Sequence, residues 1–523
     1  MLRVDGLSVG FRGQPVTHDV TFDLRAGRTT CLVGESGSGK SLTSTAIMGL
    51  LPAVGEVLAG RVVDGSGAVW VEPGAAVRTP LGRGAAMIFQ DPMSSLNPSM
   101  RVGWQVAEGP RVHEGLSAAA ARERVEALFA EVELPDPAAT FDKYPHELSG
   151  GQKQRVMIAL ALAGNPTVLI ADEPTTALDV TVQRAVLELL GRLRARRGLA
   201  VLFITHDLAV VREVADEVLV MRAGRIVEQG AVIEVLNRPR HAYTKSLLAA
   251  QDLGRVGGGA VVGAGEALIA VEHVTKSFVT RRDFLGRPTA RFTAVEDVSL
   301  AIKPGERVGL VGESGSGKST IGRIMLGLEG ADSGRVMLRG RAVDFDNPAD
   351  VAEMRRTAQL VFQDPFSALN PRMTIGAALR EVLDLHGHPA EDAVRLMEEV
   401  GLEAADLDKR PGAFSGGQRQ RIVIARALAV RPAFLVLDES VAALDAHIQR
   451  EVLGLLERLG DERGLAYLFI SHDLGVVASF CPRVVVLRAG VVVEEGATEA
   501  VWSAPRSAYT RALLDSRPGS RSN

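Results

Sequence analysis

The segment Gly34-Glu-Ser-Gly-Ser-Gly-Lys40-Ser41, which follows the apolar run Thr30-Cys-Leu-Val33, decides the fold of this chain. The pattern G-x-x-x-x-G-K-[ST] after a strand is the phosphate-binding P-loop. Its glycines let backbone N–H groups turn inward on phosphates, and the following helix adds the positive end of its dipole. We therefore expect a nucleoside triphosphate site here.

The same octapeptide occurs again, as Gly312-Glu-Ser-Gly-Ser-Gly-Lys318-Ser319 after Val308-Gly-Leu-Val311. Other segments recur in the same order, and the last three share one offset of 266 residues. Repetition at a constant offset indicates a duplicated unit, so the chain contains one kind of domain twice. The recurring pairs are Phe89-Gln-Asp-Pro92 with Phe362-Gln-Asp-Pro365, Ser149-Gly-Gly-Gln152 with Ser415-Gly-Gly-Gln418, Asp172-Glu173 with Asp438-Glu439, and His206-Asp207 with His472-Asp473.

The 523 residues are predicted to divide into domain 1 at 1–251, a Gly-rich linker at 252–267 and domain 2 at 268–523. Short apolar runs alternate with helical patterns in each half, which predicts an α/β fold with a mostly parallel sheet. Between the Gln-Asp-Pro and Ser-Gly-Gly-Gln segments, apolar residues repeat at helical spacing. This indicates a helical subdomain inserted in each α/β core, and the apolar stripes are interpreted as core packing. The stripes are Val125, Leu128, Phe129 and Val132, and Ala393, Leu396, Met397 and Val400.

The composition excludes several classes of protein. With 46% apolar residues, 23% charged residues and a net charge of -4, the chain is unlike a disordered or a strongly basic nucleic-acid-binding protein. Cys31 and Cys481 are too far apart in sequence for a disulfide framework or a C-x-x-C metal site. No apolar run approaches the roughly 18 to 20 residues of a membrane span, and no signal peptide is expected. If the protein works at a membrane, another chain supplies the membrane part.

The repeated motifs contain the residues that we expect to bind and hydrolyse the nucleoside triphosphate. Lys40 and Lys318 would reach the β- and γ-phosphates, and the hydroxyls of Ser41 and Ser319 would bind Mg²⁺. An acidic pair at a strand end is often only solvated or capping, and a lone histidine is often structural. Their recurrence after a P-loop in both halves favours a role in hydrolysis. We expect Asp172 and Asp438 near Mg²⁺, Glu173 and Glu439 polarising a water, and His206 and His472 at the γ-phosphate.

The segments Leu148-Ser-Gly-Gly-Gln152 and Phe414-Ser-Gly-Gly-Gln418 resemble the signature motif of ABC-type ATPases. In each half the P-loop, Q-loop glutamine, signature, Walker B strand, D-loop and histidine stand in the family's order. The D-loops are Ala177-Leu-Asp179 and Ala443-Leu-Asp445. The resemblance implies two tandem P-loop NTPase domains, each with a RecA-like core and a helical insert. It also implies intramolecular head-to-tail pairing, with each ATP between the P-loop of one domain and the signature of the other.

Carried onto this chain, the resemblance implies two complete sites that both hydrolyse ATP. Phe11 and Phe278 could stack on adenine, and the alternative is an ordinary strand-core phenylalanine. Gln90 and Gln363 would join the serines and aspartates at Mg²⁺. The implied ATP-binding residues of the first half are Phe11, Gly34, Ser36, Gly37, Gly39, Lys40, Ser41, Leu42, Gln90, Ser149, Gly150, Gly151 and Gln152. Those of the second half are Phe278, Gly312, Ser314, Gly315, Gly317, Lys318, Ser319, Thr320, Gln363, Ser415, Gly416, Gly417 and Gln418.

Three sequence features resemble those of the ATPase subunits of dipeptide, oligopeptide and nickel importers. They are the Asn-Pro that follows each Q-loop, Tyr144-Pro-His-Glu-Leu148, and the tails His241-Ala-Tyr-Thr-Lys-Ser-Leu-Leu248 and Ser507-Ala-Tyr-Thr-Arg-Ala-Leu-Leu514. This similarity implies a peripheral protein at the cytoplasmic face of the membrane. Its partners would be two permeases and an extracytoplasmic solute-binding protein, and peptides are the expected solute. Nickel or another small solute, including a glutathione-like one, is the alternative.

Two further expectations concern what the chain lacks. Many members of this importer family have a cysteine-bearing extension for an iron–sulfur cluster, and with two distant cysteines no such cluster is expected here. The competing class is a tandem ABC protein that acts on ribosomes or DNA. The short glycine-rich linker, the absence of zinc cysteines and the near-neutral charge all disfavour it, so no nucleic-acid partner is expected.

Overall fold

In this computed structural model the chain is described at residues 1–90, 95–175, 178–251, 265–282, 287–362, 364–441 and 444–517. The side chains of residues 250, 251, 281, 282 and 366 are outside the description. These residues form two compact units, the first from Met1 to Gln251 and the second ending at Arg517. Most of the predicted linker, residues 252–264, lies outside the described residues.

The first unit alternates strands and helices, as the apolar runs predict. Its strands are β1 (Leu2–Phe11), β2 (Gln14–Pro15), β3 (Val20–Leu24), β4 (Thr29–Val33), β5 (Gly55–Asp64), β6 (Val69–Val71), β7 (Ala85–Ile88), β8 (Val168–Asp172), β9 (Ala200–Ile204), β10 (Glu217–Arg222) and β11 (Arg225–Ala231). Its helices are α1 (Lys40–Met48), α2 (Val102–Glu114), α3 (Ala118–Glu131), α4 (Pro137–Phe141), α5 (Gly150–Leu162), α6 (Val180–Arg197), α7 (Leu208–Val214), α8 (Val232–Asn237) and α9 (Ala242–Gln251), with a 3₁₀ turn at Pro145–Glu147.

Two sheets organise this unit. The larger has the order β11-β10-β4-β9-β8-β7, and its pairs are parallel except the edge pair β10-β11. Strands β4, β8 and β9 are buried along their whole length, as expected for strands covered on both faces. The second sheet is antiparallel, with the order β2-β1-β5-β6 and β3 beside β1. The apolar runs do not predict this second sheet, because its strands alternate buried and exposed residues.

The second unit repeats this plan. Its strands are β12 (Ile269–Arg282), β13 (Pro288–Ile302), β14 (Arg307–Val311), β15 (Ser333–Leu338), β16 (Arg341–Ala342), β17 (Ala358–Val361), β18 (Phe434–Asp438), β19 (Ala466–Ile470), β20 (Arg483–Arg488) and β21 (Val491–Ala497). Its helices are α10 (Lys318–Met325), α11 (Pro348–Thr357), α12 (Pro365–Ala368), α13 (Ile375–Leu385), α14 (Asp392–Glu399), α15 (Gly416–Leu428), α16 (Ala446–Arg463), α17 (Leu474–Phe480), α18 (Thr498–Ser503) and α19 (Ala508–Asp515), with 3₁₀ turns at Ala404–Asp408 and Pro411–Ala413.

The mostly parallel sheet of the second unit has the matching order β17-β18-β19-β14-β20-β21, and its antiparallel sheet has the order β13-β12-β15-β16. The predicted α/β fold is therefore confirmed in both units. All members of the two helical stripes are buried against α5 or α15 and their neighbours, so their interpretation as core packing is also confirmed. In the part of the chain that is described, no helix is both long and apolar enough to cross a membrane.

Strand order brings the predicted site residues together. In the first unit β9 lies between β4 and β8, and all three run parallel. Their carboxyl ends meet at one edge of the sheet, where open α/β sheets bind ligands. The P-loop follows β4, Asp172 ends β8 and His206 follows β9. Strands β14, β18 and β19 place the residues of the second unit in the same way.

Candidate functional site

The P-loop of each unit closes tightly over the end of its strand. Gly34 has φ 155° and Gly39 has φ 103°, values that favour glycine. A Cβ on Gly34 would overlap the carbonyl oxygen of Met221 at the end of the neighbouring strand β10. Gly312 has the same relation to Leu487. Only glycine fits the first position of either loop.

Each P-loop lysine is buried and held by the start of its own loop. Nζ of Lys40 donates to the carbonyl oxygens of Gly34 at 2.7 Å and Glu35 at 2.9 Å. Nζ of Lys318 donates to Gly312 at 2.7 Å and to Glu313 at 2.8 Å. The ammonium therefore has a fixed location, from which a compact cation can contact phosphate oxygens.

The other predicted P-loop residues divide into outer and inner positions. Gly37 and Gly315 have positive φ, and a Cβ on either would meet nothing within 4 Å, so they form the exposed turn of each loop together with the neighbouring serines. Leu42 and Thr320 lie half-buried in the first turns of α1 and α10. The exposed residues of this turn are Ser36, Gly37, Ser314 and Gly315.

The serine after the lysine and the aspartate ending the Walker B strand form a pair that fits Mg²⁺. Oγ of Ser319 donates to Oδ1 of Asp438 at 2.8 Å. Oδ1 of Asp172 is buried and has no hydrogen-bond partner among the described residues. A buried carboxylate oxygen beside a hydroxyl is the hard donor set that Mg²⁺ prefers. Ser41 and Asp172, and Ser319 and Asp438, would therefore hold the ion.

Burial is the main influence on these aspartates. It raises the pKa of Asp172 and Asp438, the serine hydroxyls oppose that rise, and the charges of Glu173 and Glu439 add to it. Burial makes the ionised form of a carboxylate less stable. A nearby cation therefore stabilises a buried carboxylate more than an exposed one. The electrostatics of the site thus also favour a divalent ion at this position.

The two candidate catalytic glutamates have an unusual backbone. Glu173 and Glu439 both have φ 47°, in the left-handed region, although neither is glycine. Each is fixed by a backbone hydrogen bond, from Glu173 N to Ile204 O and from Glu439 N to Ile470 O, both 2.9 Å. Such conformations cost free energy and persist where the surroundings enforce them, often at functional sites. Both units maintain the same strained residue just beyond the strand end.

Each glutamate contacts the histidine of the next strand. Nδ1 of His206 lies 3.2 Å from Oε1 of Glu173, and Nδ1 of His472 lies 3.4 Å from Oε1 of Glu439. Nε2 of Gln90 donates to Oε2 of Glu173 at 2.9 Å. The first unit therefore brings glutamate, histidine and Q-loop glutamine together.

The charge state of Glu439 suits a general base. Burial raises its pKa, but the hydrogen bond and charge of His472, with the charge of Lys318, outweigh burial and leave the pKa below its ordinary value. An ionised carboxylate can accept a proton from an attacking water.

Some predicted residues lie outside this cluster or outside the described residues. Gln363 and the alanines of both D-loops, Ala177 and Ala443, are outside the described residues. Phe11 is half-buried at the end of β1, and Phe278 is 38% exposed with Nζ of Lys276 5.3 Å from its ring centroid. Their stacking on adenine stays a prediction.

The signature serines begin helices α5 and α15 as N-caps. Oγ of Ser149 accepts from Gln152 N at 3.3 Å, and Oε1 of Gln152 accepts from Ser149 N at 3.0 Å. Ser415 and Gln418 form the same capping box at the same distances. Serine and glutamine in the signature thus satisfy the helix start. The remaining exposed N–H groups of such a start suit an anion.

The two glycines of each signature have different surroundings. A Cβ on Gly151 would lie 2.7 Å from Cγ1 of Val182, and one on Gly417 would overlap Cγ2 of Ile448. By contrast, a Cβ on Gly416 would have nothing within 4 Å. The second glycine is therefore required by packing against α6 or α16, whereas the first has room.

One pair of contacts at the P-loops was not expected from the sequence. The backbone N–H of Glu35 donates to Oη of Tyr243 at 3.0 Å, and that of Glu313 donates to Oη of Tyr509 at 3.1 Å. Both tyrosines belong to the Ala-Tyr-Thr tail segments, which in the sequence serve only as family markers. Recurrence of the tyrosine in both tails was the available signal.

Two known protein families match segments of this chain. A family model described as ABC transporter matches residues 17–176 and 295–442. A second model, described as oligopeptide/dipeptide transporter, C-terminal region, matches residues 227–253 and 493–523.

The curated relatives include the glutathione import ATP-binding proteins GsiA of Salmonella typhimurium strain LT2 and Escherichia coli strain K12. Each is 41% identical to this chain over 561 residues, which cover 99% of the chain and 89% of the relative. Among solved structures, cbiO1 from Clostridium perfringens, part of the ABC transporter complex cbiONQ, is 24% identical with a TM-score of 0.41 over 46% of this chain and 92% of its own. A dimeric ATP-binding cassette bound to ADP and Pi is 28% identical with a TM-score of 0.39 over 44% of this chain and 98% of its own.

The packing of the signature glycines yields a test. We expect Gly417→Ala to lower the thermal unfolding midpoint, because overpacking costs about 1–3 kcal/mol and each kcal/mol corresponds to about 2–4 °C in a domain of this size. Gly416→Ala is the matched control and should leave the midpoint unchanged or slightly raised, since alanine favours a helix. Calorimetry of the full chain measures both. Equal midpoints for the two variants would contradict the packing argument.

Proposed function

Because the chain belongs to the ABC transporter family, we propose that it powers the import of peptides and that its two halves share two ATP molecules between them. The chain is an ATP-binding, ATP-hydrolysing subunit of a peptide-type importer. The observation that carries the proposal for both sites is the repeated cluster in which Glu173 contacts His206 and Glu439 contacts His472.

The contacts of the side chains support the following roles. Glu173 and Glu439 polarise the attacking water, and each histidine holds its glutamate and contacts the γ-phosphate. Lys40 and Lys318 stabilise charge on the phosphates. Serine and aspartate would hold Mg²⁺, which would supply positive charge to stabilise the phosphates.

An iron–sulfur cluster is not part of the proposal. Cys31 and Cys481 are both buried, and they belong to different units. Burial raises the pKa of both thiols far above the ordinary value, with the charge of Asp216 adding to the effect at Cys31. Because thiolates are the metal ligands, such thiols are poor candidates for cluster binding.

The proposed shared sites are head to tail. One would combine Lys40, Gln90, Asp172, Glu173 and His206 with Ser415 and Gly417 of the other half. The second would combine Lys318, Gln363, Asp438, Glu439 and His472 with Ser149 and Gly151. The capping boxes support this arrangement, because they fix each signature helix start while Ser149, Gly150, Ser415 and Gly416 are exposed. ATP binding would close the pair and hydrolysis would reopen it, a two-state element that a ligand biases.

The proposed domains are 1–251 and 268–523, with 252–267 as linker. Importer subunits of this family act with permeases. We place the chain as a peripheral protein at the cytoplasmic face, bound to two permeases and served by a solute-binding protein. The name of the relatives gives glutathione, itself a small peptide, as their solute. Glutathione is therefore the first peptide to test, with other peptides next and nickel as the alternative.

Turnover by both halves can be tested by removing both glutamates. We expect the combined Glu173→Gln and Glu439→Gln substitutions to reduce ATP turnover by about 100-fold or more, because each removes a general base. ATP binding should persist, since glutamine has nearly the same shape. Phosphate release and ATP binding by the purified chain measure the two effects. Turnover undiminished in the double variant would show that other groups activate the water.

Head-to-tail pairing can be tested by combining a glutamate variant with a signature variant. Glu173→Gln disables one site, and adding Ser415→Arg should cost little more because it blocks that same site. Adding Ser149→Arg instead should reduce turnover to the level of the double glutamate variant, because it blocks the other site. The two arginine substitutions disturb equivalent helix caps, so each is the control for the other. The opposite ranking would mean that each half pairs with its own signature.

The solute and the membrane partners can be tested together. When the chain is produced together with candidate permeases and a candidate solute-binding protein, we expect it to be recovered with membranes. In vesicles, glutathione or a dipeptide should stimulate its ATP turnover several-fold, and Ni²⁺ alone should not. Recovery with ribosomes, or stimulation by Ni²⁺ alone, would replace the peptide-import proposal.

A further inference from the structure

The tail helix of each unit reaches the P-loop, although about two hundred residues separate them in sequence. Tyr243 is the second residue of α9, and Tyr509 is the second residue of α19. Each phenol oxygen accepts the backbone N–H of the residue after the first P-loop glycine, Glu35 or Glu313, at 3.0 and 3.1 Å. Tyr243 is only 3% exposed.

The same peptide group also anchors the P-loop lysine. The N–H that Tyr243 accepts and the carbonyl of Gly34 belong to one peptide unit, and that carbonyl accepts Nζ of Lys40 at 2.7 Å. Because a peptide unit is planar, fixing its N–H fixes the direction of its carbonyl. In the second unit, Tyr509 and Lys318 hold the Gly312–Glu313 peptide in the same way, with 2.7 Å from Nζ to the Gly312 oxygen.

The tyrosines are themselves firmly placed. A glutamate on the last strand of each sheet accepts the two N–H groups just before the tail helix. Glu228 accepts from Arg240 and His241 at 2.8 and 3.1 Å, and Glu494 makes the matching pair of bonds in the second unit. The guanidinium carbons of Arg222 and Arg488 lie 4.9 and 5.0 Å from the tyrosine ring centroids. Packing and hydrogen bonds together orient each phenol.

From these contacts we propose that Tyr243 and Tyr509 are positioning residues of the two ATP sites. Each holds the first peptide of its P-loop so that the carbonyl stays directed at the lysine and the ammonium stays where phosphate binds. The inference rests on the assignment of Lys40 and Lys318 to phosphate binding. These hydrogen bonds act on the loop that holds phosphate and not on the groups that activate water, so the effect falls on nucleotide affinity.

The test uses Tyr243→Phe and Tyr509→Phe, singly and together, in the full chain. Phenylalanine keeps the ring and its packing but removes the hydroxyl, and with it the hydrogen bond from the P-loop N–H. We expect the KM for ATP to rise on the order of three- to tenfold in the double variant, with kcat within about twofold of the parent. Calorimetric titration with a non-hydrolysable ATP analogue should show one weakened site in each single variant and two in the double variant.

Tyr467→Phe is the matched control for stability. Its Oη is buried and donates to the carbonyl oxygen of Leu456 at 2.7 Å, in the same unit as Tyr509 but away from the P-loop. It should lower the thermal midpoint without changing KM. The tail variants could instead lower the thermal midpoint, as Tyr467→Phe does, and keep the parent KM and analogue affinity. In that case the tyrosines are only structural and the proposal is overturned.

Two further measurements separate the possible failures. Lys40→Ala and Lys318→Ala should abolish tight binding of the analogue; if they do not, the phosphate-site assignment itself is wrong. If they do and the tyrosine variants bind normally, only the positioning role is wrong. Amide hydrogen exchange of the unsubstituted chain should show protected N–H groups at Glu35 and Glu313, and rapid exchange at both would also overturn the proposal.

Discussion

Each site depends on the register in which three parallel strands pair. Ile204, the last residue of β9, is aligned with Leu32 of the P-loop strand on one side and with Asp172 on the other. Its carbonyl also accepts the N–H of Glu173. Ile470 has the same three relations in the second unit, to Leu310, Asp438 and Glu439. A slip of one residue in either pairing would turn side chains to the opposite face and separate phosphate, metal and water positions.

The same register places a buried aspartate and a strained glutamate next to each other at the end of the sheet. The aspartate is the last residue of its strand, where burial raises its pKa, and the glutamate comes directly after it. In a regular strand the adjacent side chains of Asp172 and Glu173 would project from opposite faces, and the left-handed backbone at Glu173 takes its side chain out of that alternation. One carboxylate can thus face a cation while the other faces a histidine. The adjacent charges remain costly, so the edge is suited to a site that a cation completes.

The sequence predicted the parallel core and the site edge because those features depend on local signals. Three local patterns each indicate one common structure: glycines at fixed spacing, fully apolar runs, and an Asp-Glu pair after such a run. The duplication then allowed each interpretation to be checked against a second copy. The antiparallel sheet escaped prediction, since half-buried strands such as β1 carry a weaker pattern. The need for glycine at Gly417 could not be read either, because the side chain that excludes a Cβ, Ile448, comes from the separate helix α16.

The contact between tail and P-loop is the clearest case of information that only three-dimensional structure provides. The Ala-Tyr-Thr segments look like markers of a subfamily, yet the peptide after Gly34 is fixed from three directions: by Met221 of β10, which excludes any side chain at Gly34, by Lys40, and by Tyr243 of α9. The phosphate loop is thus built from strand, helix and tail together. A movement of the tail helix would therefore be transmitted to the lysine by one rigid peptide unit. That connection, present in both units, gives the tail a physical reason to accompany this kind of ATPase domain.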